Sequence, residues 1–197
     1  MSYRVAVCVS GGGSNLQAIL DRLEGEAPAR VVLVLSNRAE AGGLERARRA
    51  GVPAEVLSDP ADASEWITRL GRRDVDLLVL AGYLKLVPPG VVQKYAGRMI
   101  NVHPALLPAF GGPGMYGQRV HEAVIASGAA ESGPTVHLVD EVYDRGAILA
   151  QRRIPVLPED TPATLAERVL AEEHQLLPDV ILAAARAGHP VMMTNAD

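Results

Sequence analysis

The residues best suited to chemistry in this sequence lie in the run Asn101-Val102-His103-Pro104. Proline at position 104 bars a helix at His103 and favours an extended backbone there. Side chains alternate along an extended chain, so Asn101 and His103 project from the same face. An amide donor beside an imidazole at the end of a strand is suited to stabilising a developing oxyanion. The spacing therefore indicates an active site.

A glycine-rich turn, Ser10-Gly11-Gly12-Gly13-Ser14-Asn15, separates the first apolar run from the first helical pattern. Glycines let the backbone approach a ligand closely, and the helix start offers unpaired N–H groups to an anion. The turn lacks the Gly-Lys-Ser/Thr of a Walker A loop. Leu16 stands where a dinucleotide-binding motif has a third small residue. The residues alone support a phosphate cradle and a plain strand-to-helix turn about equally.

Three acidic residues, Asp140, Glu141 and Asp144, lie between two predicted strands. Acids in loops are usually solvated, and spacing alone does not bring any of them to His103. If Asp144 meets His103, its carboxylate raises the pKa of the imidazole and holds the ring protonated. A protonated ring can donate to an oxyanion. We therefore take Asp144 as the candidate acid and expect a protonated His103.

Apolar runs of strand length alternate with helical patterns through the first half of the chain. Strands are predicted over 4–9, 31–35, 54–57, 77–81 and 98–102. Helices are predicted over 16–23, 44–50, 63–70 (with Asp62 as N-cap) and 88–95. Such alternation is typical of a parallel sheet that helices cover on both faces.

The pattern changes after His103. A loop is predicted over 104–117, a helix over 119–126 and antiparallel strands over 135–139 and 147–153. A long helix follows over 162–187, with Pro178 as a candidate break, and we expect residues 192–197 to fray. The predicted fold class is α/β, with a doubly wound, mostly parallel sheet flanked by helices and antiparallel strands in the C-terminal part.

The composition narrows the class of protein. With 197 residues, 48% of them hydrophobic, the chain is long enough for one domain with a sizeable core. A net charge of −4 gives no sign of nucleic-acid or anionic-membrane binding. A single cysteine, Cys8, cannot form an internal disulfide, which favours a reducing compartment. No clustered Cys/His metal ligands and no apolar run of about 20 residues are present. The sequence predicts a cytoplasmic protein without metal.

Three segments, 10–17, 101–108 and 135–151, together resemble the phosphoribosylglycinamide formyltransferase family of purine biosynthesis. The run Asn-Val-His-Pro-Ala-Leu-Leu-Pro is specific to the wider formyltransferase fold. The run Ser-Gly-Gly-Gly-Ser-Asn-Leu-Gln and the pair Glu173-His174 narrow the resemblance to this family. The resemblance implies one formyltransferase domain over residues 1–197. Its nucleotide-phosphate-binding half would span about 1–100 and its catalytic and folate-binding half about 101–187.

The resemblance also implies a reaction. The formyl group of 10-formyltetrahydrofolate, the donor cosubstrate, passes to the amine of glycinamide ribonucleotide in de novo purine (IMP) biosynthesis. The amine attacks directly, through an oxyanion intermediate and without metal. By resemblance, Asn101, His103 and Asp144 are the catalytic residues. The partners implied are small molecules, neither nucleic acid nor membrane, for a cytoplasmic monomer or homodimer.

The resemblance assigns two binding sets. The substrate-binding set comprises Gly12, Gly13, Ser14, Asn15 and Glu173. The folate-binding set comprises Leu84, Lys85, Leu86, Val87, Asn101, Asp140, Glu141, Val142 and Asp144. The chain departs from the family pattern at several places. Residues 84–87 stand where relatives more often have Met-Arg, Arg145 replaces a small residue, and the loop 111–118 is longer than in many relatives. Residues 58–64 offer no match to the family's basic residue for the folate glutamate tail.

Other readings stay open at this point. A formyltetrahydrofolate hydrolase and methionyl-tRNA formyltransferase share the Asn-x-His-Pro core. A non-catalytic, nucleotide-binding Rossmann-like module would explain the glycine turn alone. Two further histidines are ambiguous: His137 alternates within a predicted strand and either packs or lines the site, whereas His121, on a predicted helix, is expected to be structural.

Overall fold

The first half of the chain alternates strands and helices, as its apolar pattern predicts. The computed structural model describes residues 2–25 and 28–193. Up to the end of the Asn-Val-His run, the elements are β1 (Tyr3–Val9), α1 (Ser14–Arg22), β2 (Ala29–Ser36), α2 (Gly42–Arg49), β3 (Ala54–Val56), α3 (Ala63–Gly71), β4 (Leu77–Leu80), α4 (Pro89–Lys94) and β5 (Met99–His103). The predicted N-cap of α3 is confirmed, because the Asp62 side chain accepts a hydrogen bond from the Ser64 N–H.

The second half contains α5 (Gln118–Ser127), β6 (Glu131–Ser132), β7 (Thr135–Leu138), β8 (Ile148–Gln151), β9 (Ile154–Pro155) and α6 (Pro162–Ala187). The strands β6 and β9 form a separate antiparallel pair and were not predicted. Two residues are too few to give a strand pattern. Residues 194–197 of the segment predicted to fray lie outside the described residues.

The main sheet has seven strands in the order β3-β2-β1-β4-β5-β7-β8. The strands from β1 to β5 pair in parallel, whereas β7 is antiparallel to both β5 and β8. The predicted doubly wound, mostly parallel sheet with later antiparallel strands is confirmed. The strand order reverses at β1, with β2 on one side and β4 on the other. A crevice between the carboxyl ends of β1 and β4 is where such sheets bind ligands.

Two cores cover the two faces of the sheet. On β1, Val5, Val7 and Val9 contribute to a core formed with α1, α2 and α6. The alternate residues Ala6 and Cys8 belong to a second core, formed with α3 and α4. Burial on both faces explains the continuous apolar runs of the parallel strands. It also holds the strand ends firmly, so that the loops after them can carry a site.

The helix α6 is the longest of these elements. Thr161 and Thr164 form a reciprocal cap at its start, and Gly188 ends it in a left-handed conformation. Pro178 lies inside the helix without ending it, so the candidate break is absent. Within residues 2–25 and 28–193, no helix combines the length and apolar character that crossing a membrane requires.

Candidate active site

A cavity of about 620 Å³ lies at the carboxyl ends of the central strands. Asn15 lines it after β1, Gly82 after β4, and Asn101 and His103 from β5. The cavity therefore occupies the crevice at the point where the strand order reverses. Segments remote in the sequence, including the loop after β7 and the N-terminal half of α6, complete its walls.

The three predicted catalytic residues meet in this cavity. The Nδ1 atom of His103 lies 3.7 Å from Oδ2 of Asp144. The same Oδ2 accepts a hydrogen bond from the Gly112 N–H at 2.8 Å, which fixes the carboxylate. Asp144 adopts a left-handed backbone with φ 55°, a conformation that aspartate tolerates better than most residues. The carboxylate thus acts on the imidazole through space, since 3.7 Å is too long for a hydrogen bond.

The protonation state of His103 differs from the expectation. Burial lowers the pKa of His103, and the Asp144 charge and the Phe110 carbonyl oppose this only in part. The prediction of a protonated His103 is therefore wrong for the site at rest, where the ring is neutral at pH 7. Its Nε2 lies 2.8 Å from the Phe110 carbonyl oxygen, so Nε2 carries the proton. The Nδ1 atom, which faces Asp144, is free to accept a proton.

Asp144 itself is ionised. Burial alone would raise the pKa of its carboxyl group, but the His137 side chain, the Gly112 amide and His103 together lower it below its usual value. The site therefore places a negative charge beside a neutral imidazole. That pair is suited to accepting a proton, because the carboxylate stabilises the imidazolium that results.

His137 lines the cavity. Its alternation within a strand left open whether this side chain packs in the core or lines the site. His137 pairs with Asn101 across β5 and β7. Its Nδ1 lies 2.8 Å from the Leu138 carbonyl oxygen and donates to it. Its Nε2 lies 3.2 Å from the Asn101 Nδ2 and 3.5 Å from the Asp144 Oδ1, between an amide donor and a carboxylate acceptor. The contact with Nε2 orients the amide of Asn101 and leaves its second N–H for a ligand.

Asn15 and Glu173 meet on another wall of the cavity, although 158 residues separate them. The Asn15 Nδ2 donates to Glu173 Oε2 at 2.5 Å. Burial raises the pKa of Glu173, and the hydrogen bond from Asn15 offsets part of the effect. A buried carboxyl group with a single donor is costly to ionise, which is unusual unless a ligand completes its contacts.

The glycine turn leads directly into α1. Gly13 is the N-cap of the helix, and no side chain caps it. The uncapped start favours the phosphate cradle over the plain capped turn. Gly12, Gly13 and Ser14 border the cavity wall that Asn15 forms, without lining the cavity themselves.

Exchange of Glu173 for glutamine should raise the thermal stability at pH 8 by a few degrees. The raised pKa means that Glu173 stabilises the fold below its unfolded pKa and that this contribution is lost as pH rises through its folded pKa. Glutamine keeps the acceptor for Asn15 without the buried charge. Thermal melts from pH 4 to pH 8 would test this: the gain should shrink as pH falls, and a gain independent of pH would contradict it.

The predicted folate-binding residues all line the cavity, from residues 84–87, from β5 and from the loop after β7. Leu84, Leu86 and Val142 expose 60%, 62% and 54% of their surface at its rim. Clustered exposed apolar side chains of this kind mark a binding surface. The roles assigned to the individual residues stay predictions.

His121, which is expected to be structural, is buried on α5 and also lines the cavity. Its Nδ1 finds no hydrogen-bond partner among the described residues. Burial lowers its pKa, with His103 adding to the effect. The sequence does not distinguish a histidine that packs in the core from one that lines a cavity when both lie on the buried face of a helix.

Over residues 2–25 and 28–193, no group of three or more His, Cys, Asp or Glu is arranged to hold a metal.

Comparison with known proteins gives a consistent result. Residues 3–181 match the family model described as "Formyl transferase". A chloroplastic phosphoribosylglycinamide formyltransferase of Arabidopsis thaliana is 48% identical over 186 residues, which cover 90% of this chain and 64% of the relative. The chain thus spans slightly less than two thirds of that plant protein's length. The phosphoribosylglycinamide formyltransferase of Haemophilus influenzae is 41% identical, with 90% of this chain and 85% of the relative covered.

A solved structure extends the comparison to the fold. The crystal structure of phosphoribosylglycinamide formyltransferase from Anaplasma phagocytophilum superposes with a TM-score of 0.88 at 37% sequence identity. The superposition covers 95% of this chain and 89% of the other. The predicted formyltransferase type of sheet is confirmed.

Proposed function

The chain belongs to the formyl transferase family, and we propose that it transfers the formyl group of 10-formyltetrahydrofolate to the amine of glycinamide ribonucleotide. One observation carries the proposal. A single cavity holds Asn101, His103 and Asp144 together with the Asn15–Glu173 pair. Groups that handle a reacting carbonyl therefore share one space with polar groups suited to the hydroxyls of a sugar.

The two substrates would occupy different walls. The ribonucleotide would place its phosphate at the turn Gly12–Ser14 and its sugar hydroxyls at Glu173, whose carboxylate accepts hydrogen bonds. The folate would lie between the apolar wall of residues 84–87 and the loop of residues 140–142. Lys85 is the only Lys or Arg among the residues lining this cavity, so it is the available cation for an acidic folate tail.

Asn101 would stabilise the oxyanion. The amine lone pair of the nucleotide attacks the formyl carbon, and the carbonyl oxygen takes up the negative charge. The N–H of Asn101 that His137 leaves free donates to this oxygen. Removing such a donor typically costs about 3 kcal/mol of transition-state stabilisation, or roughly a hundredfold in rate.

His103 would move the proton. The attacking amine becomes acidic once its nitrogen bonds to carbon, and the neutral Nδ1 of His103 can take its proton. Asp144, 3.7 Å away, stabilises the imidazolium formed. When the tetrahedral intermediate collapses, the bond from carbon to the folate nitrogen breaks and that nitrogen receives the proton from His103, directly or through a water. The products are the formylated amide and tetrahydrofolate.

The setting we propose is de novo purine (IMP) synthesis in the cytoplasm, by a monomer or homodimer whose partners are small molecules. Three features support, in turn, the reaction, the small-molecule partners and the reducing compartment. The relatives from Arabidopsis thaliana and Haemophilus influenzae are both named phosphoribosylglycinamide formyltransferase. The net charge is −4, which is unfavourable for nucleic-acid binding. The lone thiol, Cys8, is buried in the core, as a structural cysteine would be.

A transfer assay tests the reaction and Asn101 together. Tetrahydrofolate release from 10-formyltetrahydrofolate should depend on glycinamide ribonucleotide. Asn101→Ala should lower kcat about a hundredfold. A thermal melt close to that of the unaltered protein would show that the variant is folded. Asn101→Ala with more than a third of the normal kcat would contradict the role of this residue.

The same assay separates the alternatives. Release without the nucleotide would identify a formyltetrahydrofolate hydrolase. No release from folded protein, together with nucleotide binding, would indicate a non-catalytic binding module. The carbonyl-handling residues in the cavity favour the transferase over the binding module, which has no use for them.

A further inference from the structure

Arg46 contacts the glycine turn but has no part in the site described so far. It lies on α2, and its Nε donates to the Gly12 carbonyl oxygen at 2.7 Å. Its Nη1 donates to Oε1 of Gln17 at 3.2 Å. Gly12 precedes the start of α1 and Gln17 lies in its first turn. The guanidinium group is therefore held against the flank of the turn where a phosphate would bind.

The position of Arg46 is fixed from both sides. Gln17 donates its Nε2 to Asp21 Oδ1 at 2.7 Å, which turns its Oε1 towards Arg46. The helix that carries Arg46 is anchored to the turn by its backbone, because the Gly43 N–H donates to the Gly11 carbonyl oxygen at 3.1 Å. These contacts orient the arginine before any ligand arrives, and a preoriented charge loses less entropy on binding.

The charge of Arg46 is not neutralised by another side chain. Arg48 and Arg49, on the same helix, both pair with Glu45. Arg46 has no carboxylate oxygen within 4 Å in the part of the chain that the structure describes, and both of its acceptors are neutral. A guanidinium has five N–H donors, of which these contacts use two. The others are available to an anion.

A phosphate bound at this turn needs more positive charge than the helix start supplies, and an unpartnered polar atom beside the turn indicates a ligand. A phosphate monoester carries nearly two negative charges at neutral pH, whereas the start of a helix supplies about half a positive charge. Lys85, the one Lys or Arg lining the cavity, lies in the wall assigned to folate. The Asn15 side chain, 8% exposed and lining the cavity, has an Oδ1 without a donor among the described residues.

We propose that Arg46 is a phosphate-binding residue, which supplies from the flank of the glycine turn the positive charge that holds the phosphate of the nucleotide substrate. The identity of that nucleotide rests on the proposed function, whereas the preference for a sugar phosphate does not. Arg46 acts on binding alone, so it should set the KM for the nucleotide and leave the chemical step unchanged.

Binding of ribose 5-phosphate, followed by calorimetric titration, tests this without turnover. Arg46→Gln should raise the Kd about tenfold or more, because it removes a charge-assisted contact. Arg46→Lys should recover part of the affinity. Arg49→Gln, which alters an exposed arginine of the same helix, should bind as the unaltered protein does. In the unaltered protein the affinity should fall with added salt, and in Arg46→Gln it should fall less.

Kinetics separate a charge effect from a structural one. Arg46→Gln should raise the KM for glycinamide ribonucleotide while kcat and the KM for the folate stay within about twofold. Unchanged ribose 5-phosphate binding would overturn the proposal, as would equal losses in Arg46→Gln and Arg49→Gln. If Arg46→Gln fails to fold, Arg46→Lys takes its place in the test. The proposal is then overturned if Arg46→Lys binds ribose 5-phosphate as tightly as the unaltered protein and if binding by the unaltered protein does not depend on salt. If the unaltered protein binds ribose 5-phosphate through Arg46 but transfers no formyl group, the proposed reaction fails and the phosphate site stands.

Discussion

Replacing Asp144 with asparagine should lower kcat by about two to four orders of magnitude, the usual contribution of a positioned acid–base group. Asparagine has the same shape, and its Oδ1 can still accept the Gly112 N–H that fixes the carboxylate. What is lost is the negative charge 3.7 Å from His103. Without it, the imidazolium formed during proton transfer is buried with no counter-charge, which is strongly unfavourable.

The pH profile of the Asp144→Asn variant should move as well. In the unaltered protein, burial lowers the pKa of His103 and Asp144 works against burial. Once the charge is removed, burial acts with less opposition and the pKa falls further. The acidic limb of kcat/KM should therefore shift to lower pH. Steady-state rates from pH 5 to pH 9 would show this, and an unmoved limb would contradict the pairing of the two residues.

Two further variants complete this test. Asp179→Asn removes a carboxylate that pairs with Arg152 and does not line the cavity, and should leave kcat unchanged. His103→Ala should lower kcat at least tenfold with little effect on the fold. Because His103 and Asp144 act as one unit, the double variant should be little slower than Asp144→Asn alone. Fully additive losses would indicate that the two side chains act independently.

The strands from β1 to β5 could be predicted because each is buried on both faces. Burial on both faces requires a continuous apolar run, such as Val5 to Val9, which can be recognised without knowing which strands lie beside it. The alignment of Asn101 and His103 followed from the same local rule of alternation. Local patterns thus predicted the sheet and the one strand end that carries two of the candidate residues.

Other features depend on contacts that the chain makes only when folded. The Asn15–Glu173 hydrogen bond joins α1 to α6, and no spacing rule connects residues so far apart. The shift in the pKa of His103 was predicted in the wrong direction, because the sequence shows the carboxylate but not the burial that outweighs its effect. The pairing of His137 with Asn101 needed the register of β5 and β7. Such errors concern solvation and tertiary register, which no local pattern records.

In the glycine turn, Gly13→Ala should weaken the binding of ribose 5-phosphate by at least a hundredfold. Gly13 has φ 74°, in the left-handed region that side chains disfavour by about 1–2 kcal/mol. A Cβ atom there would lie 2.6 Å from the Gly43 Cα, a backbone atom that cannot turn aside. Relief requires the turn and α2 to separate, which moves both the start of α1 and Arg46 away from the phosphate.

Stability should fall together with binding. The strain and the displaced backbone together should lower the free energy of unfolding by about 2–4 kcal/mol, measurable by urea titration. Gly11→Ala is the matched control, because a Cβ at Gly11 meets no atom within 4 Å and its φ is not positive. It should bind within twofold of the unaltered protein. Folate binding in Gly13→Ala separates the two possible causes: if it persists while the sugar phosphate no longer binds, the turn serves the nucleotide specifically. If both are lost equally, Gly13 serves the fold as a whole and the assignment of the turn to phosphate is contradicted.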